Sequence, residues 1–336
     1  MKTAEFWEKV SENDVKCGLC SHRCVIADSV RGVCGVRENR GGKLFSLVYG
    51  KAIAASADPI EKKPLYHFLP GTLSFSVATI GCNFRCLNCQ NADISQLRKA
   101  GEVSGRDLSP EEVVEQALDY GCKSISYTYT EPTIFYEYAC DIGILARKRG
   151  LKNNFVTNGY MTSEVIEDAS SFLDAANVDL KAFSEEFYQR VCGARLAPVL
   201  DSLKLLKEKG VWVEVTTLII PTLNDSGDEL SAIASFICDE LGADTPWHVS
   251  RFHPDHRLTD LERTPMETIK LAIEVGGEAG LRHIYAGNVP HDETENTCCP
   301  NCRELLVERV GFGVEKNSLT NGTCPSCKEK IAGVWN

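Results

Sequence analysis

Apolar and polar positions keep two different rhythms through the middle of this chain. Short runs rich in β-branched and aromatic residues, at 73–79, Lys123–Tyr129, Lys152–Thr157, Ala176–Lys181, Trp212–Pro221 and Trp247–His253, read as strands. Between them, 133–149, 162–173, 196–208, 228–240 and 265–279 repeat apolar residues at helical spacing. A further helix opens at Ser109-Pro110-Glu111-Glu112, where Ser109 can cap and Pro110 takes the first turn. Gly150 and Gly210 stand at or just past helix ends, and His283–Ala286 adds a short strand after the last unit. Six strand–helix units in succession imply parallel strands with right-handed crossovers. The expected fold class is α/β, a partial (β/α)6 TIM-like barrel with small cysteine-rich metal modules at both ends.

In those end modules the rhythm fails and cysteine spacing takes over. Cys299-Pro-Asn-Cys302 and Cys324-Pro-Ser-Cys327 are near copies separated by a strand-like stretch and a Gly-containing turn. Two C-x2-C knuckles at this separation indicate a four-cysteine zinc ribbon, with a rubredoxin-like iron site as the alternative. Cys298 breaks the symmetry of the pair and is left outside it. At the other end Cys17, Cys20, Cys24 and Cys34 are four thiolates that can close a zinc site or hold an auxiliary iron–sulfur cluster. Zinc is the preferred reading, and His22 could replace one cysteine. The resulting division is 1–70 for the amino-terminal module and lead-in, 71–290 for the barrel and 291–336 for the ribbon.

Composition narrows the class. A chain of 336 residues with 43% hydrophobic and 25% charged residues can bury a full core, as one large domain or two moderate ones. The net charge of −11, without a basic stripe, argues against nonspecific attraction to a nucleic-acid backbone, though not against specific recognition of an RNA. The charged start Met1-Lys-Thr-Ala-Glu-Phe-Trp-Glu and the lack of a long apolar run lead to an expected cytoplasmic location without membrane insertion. Sixteen cysteines at metal-ligand spacings in a large chain fit reduced, metal-bound thiolates better than disulfides. Cys122, Cys140, Cys192 and Cys238 lie outside the clusters and read as small core residues, Cys192 least firmly because it follows a strand that ends at the expected site.

The strongest chemical signal is Ile80-Gly-Cys-Asn-Phe-Arg-Cys-Leu-Asn-Cys-Gln-Asn91. Cys82, Cys86 and Cys89 offer three thiolates and no fourth close behind, which leaves one iron of a cubane open to a small molecule. The competing readings are a zinc knuckle short of a partner or small buried cysteines. C-x3-C-x2-C after a strand resembles the signature of radical SAM enzymes, and its surroundings resemble the pyruvate formate-lyase activating enzyme branch. The stretch Asp58-Pro-Ile-Glu-Lys-Lys-Pro-Leu-Tyr-His-Phe-Leu-Pro-Gly71 is similar to that of the AmmeMemoRadiSam system radical SAM enzyme.

That resemblance implies a [4Fe-4S] cluster on Cys82, Cys86 and Cys89, S-adenosylmethionine on the open iron, and a 5′-deoxyadenosyl radical that abstracts hydrogen. It also implies a reductant such as flavodoxin or ferredoxin, and a substrate that is a protein glycyl site or a bulky small molecule. Radical modification of a small molecule or RNA is the alternative reaction; a non-catalytic iron–sulfur electron-transfer protein and a zinc-organised binding module are the other classes. Thr130 and Glu131 match the family's glycine-glycine-glutamate-proline segment, with Glu131 expected to receive the methionyl ammonium. Tyr129 and Thr130 replace the two glycines. Asn158, in Thr157-Asn158-Gly159, matches a ribose-binding asparagine, while Asn88 stands where many relatives carry an aromatic residue. Asn177, Asp179 and Lys181 share one strand face; Asp179 and Lys181 are expected at the cofactor or substrate pocket, with a structural ion pair as the alternative. His253, sharing a face with Arg251, is the substrate-pocket candidate, a core-bonded histidine being the alternative. All these residues follow or close strands, where parallel architectures gather their chemistry.

Overall fold

The computed structural model describes residues 1–97, 102–289 and 293–335. At its centre is an eight-stranded sheet whose spatial order follows the chain: β1 (Ala54–Pro59), β2 (Leu73–Ala78), β3 (Ser124–Tyr127), β4 (Lys152–Thr157), β5 (Ala175–Asp179), β6 (Trp212–Ile219), β7 (Trp247–Arg251) and β8 (Ile284–Gly287). Strands β2 to β8 pair in parallel. β1 lies antiparallel to β2, from Ala54 opposite Ala78 to Pro59 opposite Leu73, so the lead-in before residue 70 already contributes an edge strand. Among the described residues β1 and β8 do not pair, and the sheet is open.

The crossovers carry α1 (Pro110–Asp119), α2 (Tyr136–Lys148), α3 (Ser163–Ala169), α4 (Ala197–Glu208), α5 (Gly227–Phe236) and α6 (Met266–Glu278). Ser109 caps α1 as its sequence predicts: its hydroxyl accepts from Glu112 N at 3.2 Å while Glu112 accepts from Ser109 N at 2.6 Å. The predicted 228–240 helix is α-helical only to Phe236 and continues as a π-turn over Ile237–Leu241. Strands β3 and β5 are buried almost throughout, as strands covered on both faces must be.

Both end modules pack onto this body. The amino-terminal one builds two three-stranded sheets, and its Val15, Leu19 and Val36 belong to the same apolar core as the central strands. A buried ion pair of Arg37 with Glu137 of α2, 2.7 Å long, ties it down. The carboxyl-terminal hairpin, Leu305–Val310 with Gly313–Asn317, has its own small core around Cys299, Leu306, Val307, Cys324 and Ile331. Leu69 N donates to Val334 O and Val334 N to His67 O, both at 2.7 Å. Arg309 completes the joint, donating to Tyr66 O at 2.8 Å, Glu295 O at 3.0 Å and Thr297 Oγ1 at 2.8 Å, with its guanidinium 4.2 Å from the centre of the Tyr66 ring. Beneath it, the Glu214 carboxylate accepts from Tyr66 N, His67 N, Trp212 Nε1 and His248 Nε2. Four donors satisfy this buried charge and fix the lead-in against β6 and β7.

Candidate active site at the carboxyl ends of the strands

The loop after β2 is shaped by close contacts. Gly81 has φ +102°, and a Cβ there would come within 2.8 Å of Val36 Cγ1 and 2.9 Å of Cys34 O, so only glycine lets the amino-terminal module approach this closely. Arg85 then ties the turn together, donating to Cys82 O and Phe84 O at 2.9 Å and also to Val33 O. Arg85 N and Leu87 N donate to Cys192 O at 2.8 Å and Val191 O at 3.0 Å. The result turns Cys82, Cys86 and Cys89 toward one cavity of about 770 Å³.

Polar groups wait at the sulfurs. Phe84 N and Asn158 Nδ2 each lie 3.4 Å from Cys82 Sγ, and Ser95 Oγ lies 3.0 Å from Cys89 Sγ. Burial pushes the Cys82 thiol far above the usual range. Cys86 is raised by its hydrogen bond with Cys192 and then by burial. Thiols in such surroundings ionise when a metal supplies the compensating charge. Cys192 thus stands next to Cys86, yet it does not line the cavity.

Thr130, Asn158, Asp179, Lys181 and His253 all line the same cavity as the three cysteines. Asn158 Nδ2 also donates to Asn83 Oδ1 at 3.1 Å, and the Thr130 hydroxyl donates to Thr79 O at 2.8 Å. Lys181 Nζ meets Asp179 Oδ2 at 2.7 Å. Burial opposes the Lys181 charge, but Asp179 and the nearby thiols of Cys86 and Cys192 prevail and hold its pKa well above the ordinary lysine value. His253 is half-exposed, whereas His248, which lines the cavity too, is buried 2.7 Å from Glu214.

Glu131, expected to receive the methionyl ammonium, lies beside the cavity with both carboxylate oxygens hydrogen-bonded within the protein. Its side chain is fully buried and does not line the cavity. Oε1 accepts from Thr133 N at 3.1 Å, from the Thr133 hydroxyl and from Thr157 Oγ1 at 2.8 Å, while Oε2 accepts from Asn158 N at 2.8 Å. Burial still leaves its pKa raised despite these donors. Through Asn158 N the carboxylate holds the backbone of a residue that does line the cavity.

Several residues that the strand-end pattern did not single out complete the walls. Tyr129, on the segment where the family carries glycines, has φ +65°. That conformation costs a non-glycine residue about 1–2 kcal/mol, and the Tyr129 hydroxyl offsets it by donating to Asp58 Oδ2 at 2.5 Å. Asp58 also accepts from Lys62, Lys63 and Ser76 at 2.8, 2.9 and 2.7 Å. This is the structural purpose of the Asp58–Lys63 stretch, and it brings Lys62 to the cavity. Arg263 reaches the same mouth from the segment after β7, and Gly311 and Phe312 reach it from the tip of the carboxyl-terminal hairpin. Asn88 also faces it.

The two remaining cysteine sets differ in geometry. Cys299 Sγ and Cys327 Sγ are 3.5 Å apart, Cys302 Sγ and Cys324 Sγ 3.7 Å, and all four lie within 4.8 Å of one another. That span fits a tetrahedral ion with metal–sulfur bonds of about 2.3 Å. Cys17, Cys20, Cys24 and Cys34 instead surround a separate small cavity of about 20 Å³. Among the described residues no helix is long and apolar enough to cross a membrane.

Residues 76–237 match the model of the radical SAM superfamily. The uncharacterized protein MJ0808 of Methanocaldococcus jannaschii is 48% identical over 333 residues, covering 98% of this chain and 99% of that protein. The pyruvate formate-lyase-activating enzyme of Clostridium pasteurianum is 24% identical over 206 residues, 56% of this chain and 84% of the enzyme. Among solved structures, Streptococcus suis SuiB bound to S-adenosylmethionine aligns with a TM-score of 0.52 at 14% identity, over 70% of this chain and 54% of SuiB. The last likeness is one of fold.

Proposed function

Because the chain belongs to the radical SAM superfamily, on its pyruvate formate-lyase activating enzyme-like branch, we propose that Cys82, Cys86 and Cys89 hold a [4Fe-4S] cluster with S-adenosylmethionine beside it. The supporting observation is the meeting of these cysteines with five strand-end polar residues on one cavity. When bound, the pair supplies reductive cleavage of the sulfonium and a 5′-deoxyadenosyl radical able to take hydrogen from a C–H bond.

The chain's own residues bind and orient. Phe84 N–H, the Asn158 amide and the Ser95 hydroxyl lie at hydrogen-bond distance from the ligand sulfurs and fix their directions. Lys181, steadied by Asp179, offers a cation to the carboxylate of S-adenosylmethionine. Asn158 and Thr130 offer polar groups to its ribose and methionyl ends. With both Glu131 oxygens hydrogen-bonded within the protein, the ammonium falls to the backbone and hydroxyls of 128–130. His253, on the same cavity, contacts substrate. The open parallel sheet is read as an incompletely closed (β/α)6 barrel over 71–290, flanked by the 1–70 module and a zinc ribbon at 291–336.

For the substrate, a protein glycyl site stands ahead of a bulky small molecule, on the strength of the branch and of a cavity roomy enough for more than the cofactor. The electron comes from an external one-electron donor of the flavodoxin or ferredoxin kind. The test is anaerobic reconstitution with dithionite and S-adenosylmethionine. The parent releases 5′-deoxyadenosine, and the Cys82→Ala, Cys86→Ala, Cys89→Ala triple variant does not. Release at the parent rate by the triple variant refutes the assignment. Deuterium passing into 5′-deoxyadenosine only from a labelled small molecule, never from a candidate protein, removes the glycyl reading alone.

A further inference from the structure

Among the described residues, the amino-terminal quartet lines a cavity of its own. We infer that Cys17, Cys20, Cys24 and Cys34 hold an iron–sulfur cluster, not the zinc that their spacing in sequence favours. The first argument is size. Zinc–thiolate bonds of about 2.3 Å draw four sulfurs to about 3.8 Å of one another and leave room for nothing but the ion. The ribbon quartet has that spacing, with contacts of 3.5 and 3.7 Å. The amino-terminal cysteines line a separate cavity of about 20 Å³ and are not gathered within 4.8 Å of one another as the ribbon quartet is, whereas one zinc would draw them together. Among the described residues, the ribbon set is the metal-ligating group gathered within 4.8 Å.

The second argument is an unused donor. Arg37 lines this cavity and is 2% exposed. Its Nη1 pairs with Glu137 at 2.7 Å and its Nη2 donates to Glu5 O at 2.5 Å, but Nε has no hydrogen-bond partner among the described residues. Buried N–H groups in native proteins are nearly always satisfied. A cluster carries bridging sulfides and thiolates that accept N–H donors, and its negative charge suits a guanidinium. Apolar Leu19, Ile26 and Ile134 also line the cavity.

The third argument is position. The His22 ring, at Nε2, donates to Asn83 O at 2.7 Å, and Arg85 donates to Val33 O, next to Cys34. The quartet therefore abuts the Cys82–Cys89 loop with no intervening layer. The inference rests on the radical SAM reading only for the identity of this neighbour.

Metal content of the full chain, purified and reconstituted without oxygen, tests it together with Mössbauer spectra. About eight irons and one zinc per chain are expected, since each cubane carries four irons; about four irons with two zincs overturns the inference. The Cys82→Ala, Cys86→Ala, Cys89→Ala variant is expected to keep about four irons with a cluster spectrum, and an iron-free triple variant overturns it too. Should Cys20→Ala with Cys24→Ala fail to fold, those two measurements still decide. Failure of the radical SAM reading is seen separately, as no 5′-deoxyadenosine from a protein that nonetheless holds eight irons.

Discussion

Replacing Glu131 with alanine strands four donors at once. The hydroxyls of Thr133 and Thr157 can rotate toward other acceptors, and Thr157 Oγ1 already accepts from Gly159 N at 3.1 Å. The backbone N–H groups of Thr133 and Asn158 cannot rotate, and both residues are buried. Each unsatisfied N–H costs about 1–3 kcal/mol, and the lost methylene packing adds about 1 kcal/mol. The expected destabilisation is about 3–7 kcal/mol, a large share of the roughly 5–15 kcal/mol that holds a domain together. Glu131→Gln keeps one oxygen but points an amide at donors, and an intermediate loss follows. Thermal unfolding of both variants, matched in metal content to the parent, measures this, with S-adenosylmethionine affinity by titration alongside. If Glu131→Ala melts with the parent yet binds S-adenosylmethionine at least tenfold more weakly, the carboxylate faces the ligand and the buried-support argument fails.

Asp58→Asn leaves the buried Lys63 ammonium without its counter-charge and should cost about 3–5 kcal/mol near neutral pH. Burial opposes the Asp58 charge, but hydrogen bonds from Lys62, Tyr129, Ser76 and Lys63 hold its pKa well below the ordinary value of 3.8. Its stabilisation is therefore present above about pH 4 and lost as pH falls through the lower folded value, so the parent–variant difference should shrink in acid; an unchanged gap at pH 2 would contradict the assignment. Arg309→Ala removes the donors to Tyr66, Glu295 and Thr297 and should release the carboxyl-terminal hairpin to limited proteolysis, with cleavage mapped by mass spectrometry; parent-like resistance would show the joint is held elsewhere. Lys181→Met should weaken S-adenosylmethionine binding at least tenfold with iron content unchanged, and equal affinity would leave Lys181 as Asp179's structural partner.

The strand–helix alternation was legible because it is local: each period lies within a dozen residues, and the parallel direction of β2 to β7 follows from it. The strand-end positions of Asn158, Asp179, Lys181 and His253 came with it. The orientation of Glu131 was not legible, because it depends on Thr157 and Asn158, brought beside it only when β4 pairs with β3. Phe312 at the cavity mouth depends on contacts such as Arg309 with Tyr66, more than 240 residues apart in sequence. Cysteine spacing grouped the two end sets but left their metals open, since sequence separation does not set how far apart folded sulfurs stand. The glycine-less segment at Tyr129 and Thr130 raised the right question, and the answer lay in Asp58, whose place on the neighbouring edge strand no local pattern reports.

Three parts of the chain meet around the cavity: strand ends from the sheet, Lys62 from the lead-in and Phe312 from the ribbon hairpin. A volume of about 770 Å³ lies within the range of roughly 300–1,000 Å³ that serves a single drug-sized ligand. Once S-adenosylmethionine occupies the cysteine end, the space left admits a side chain, a short extended segment or a small metabolite, but no folded domain. A protein substrate must therefore present a loop that unrolls into the mouth past Phe312 and Arg263. Both are exposed, one apolar and one cationic, and they are where substrate recognition is to be sought. Because Arg309 ties the hairpin that carries Phe312 to Tyr66, removing the metal proposed for Cys299, Cys302, Cys324 and Cys327 should alter substrate selection before it alters the cleavage of S-adenosylmethionine.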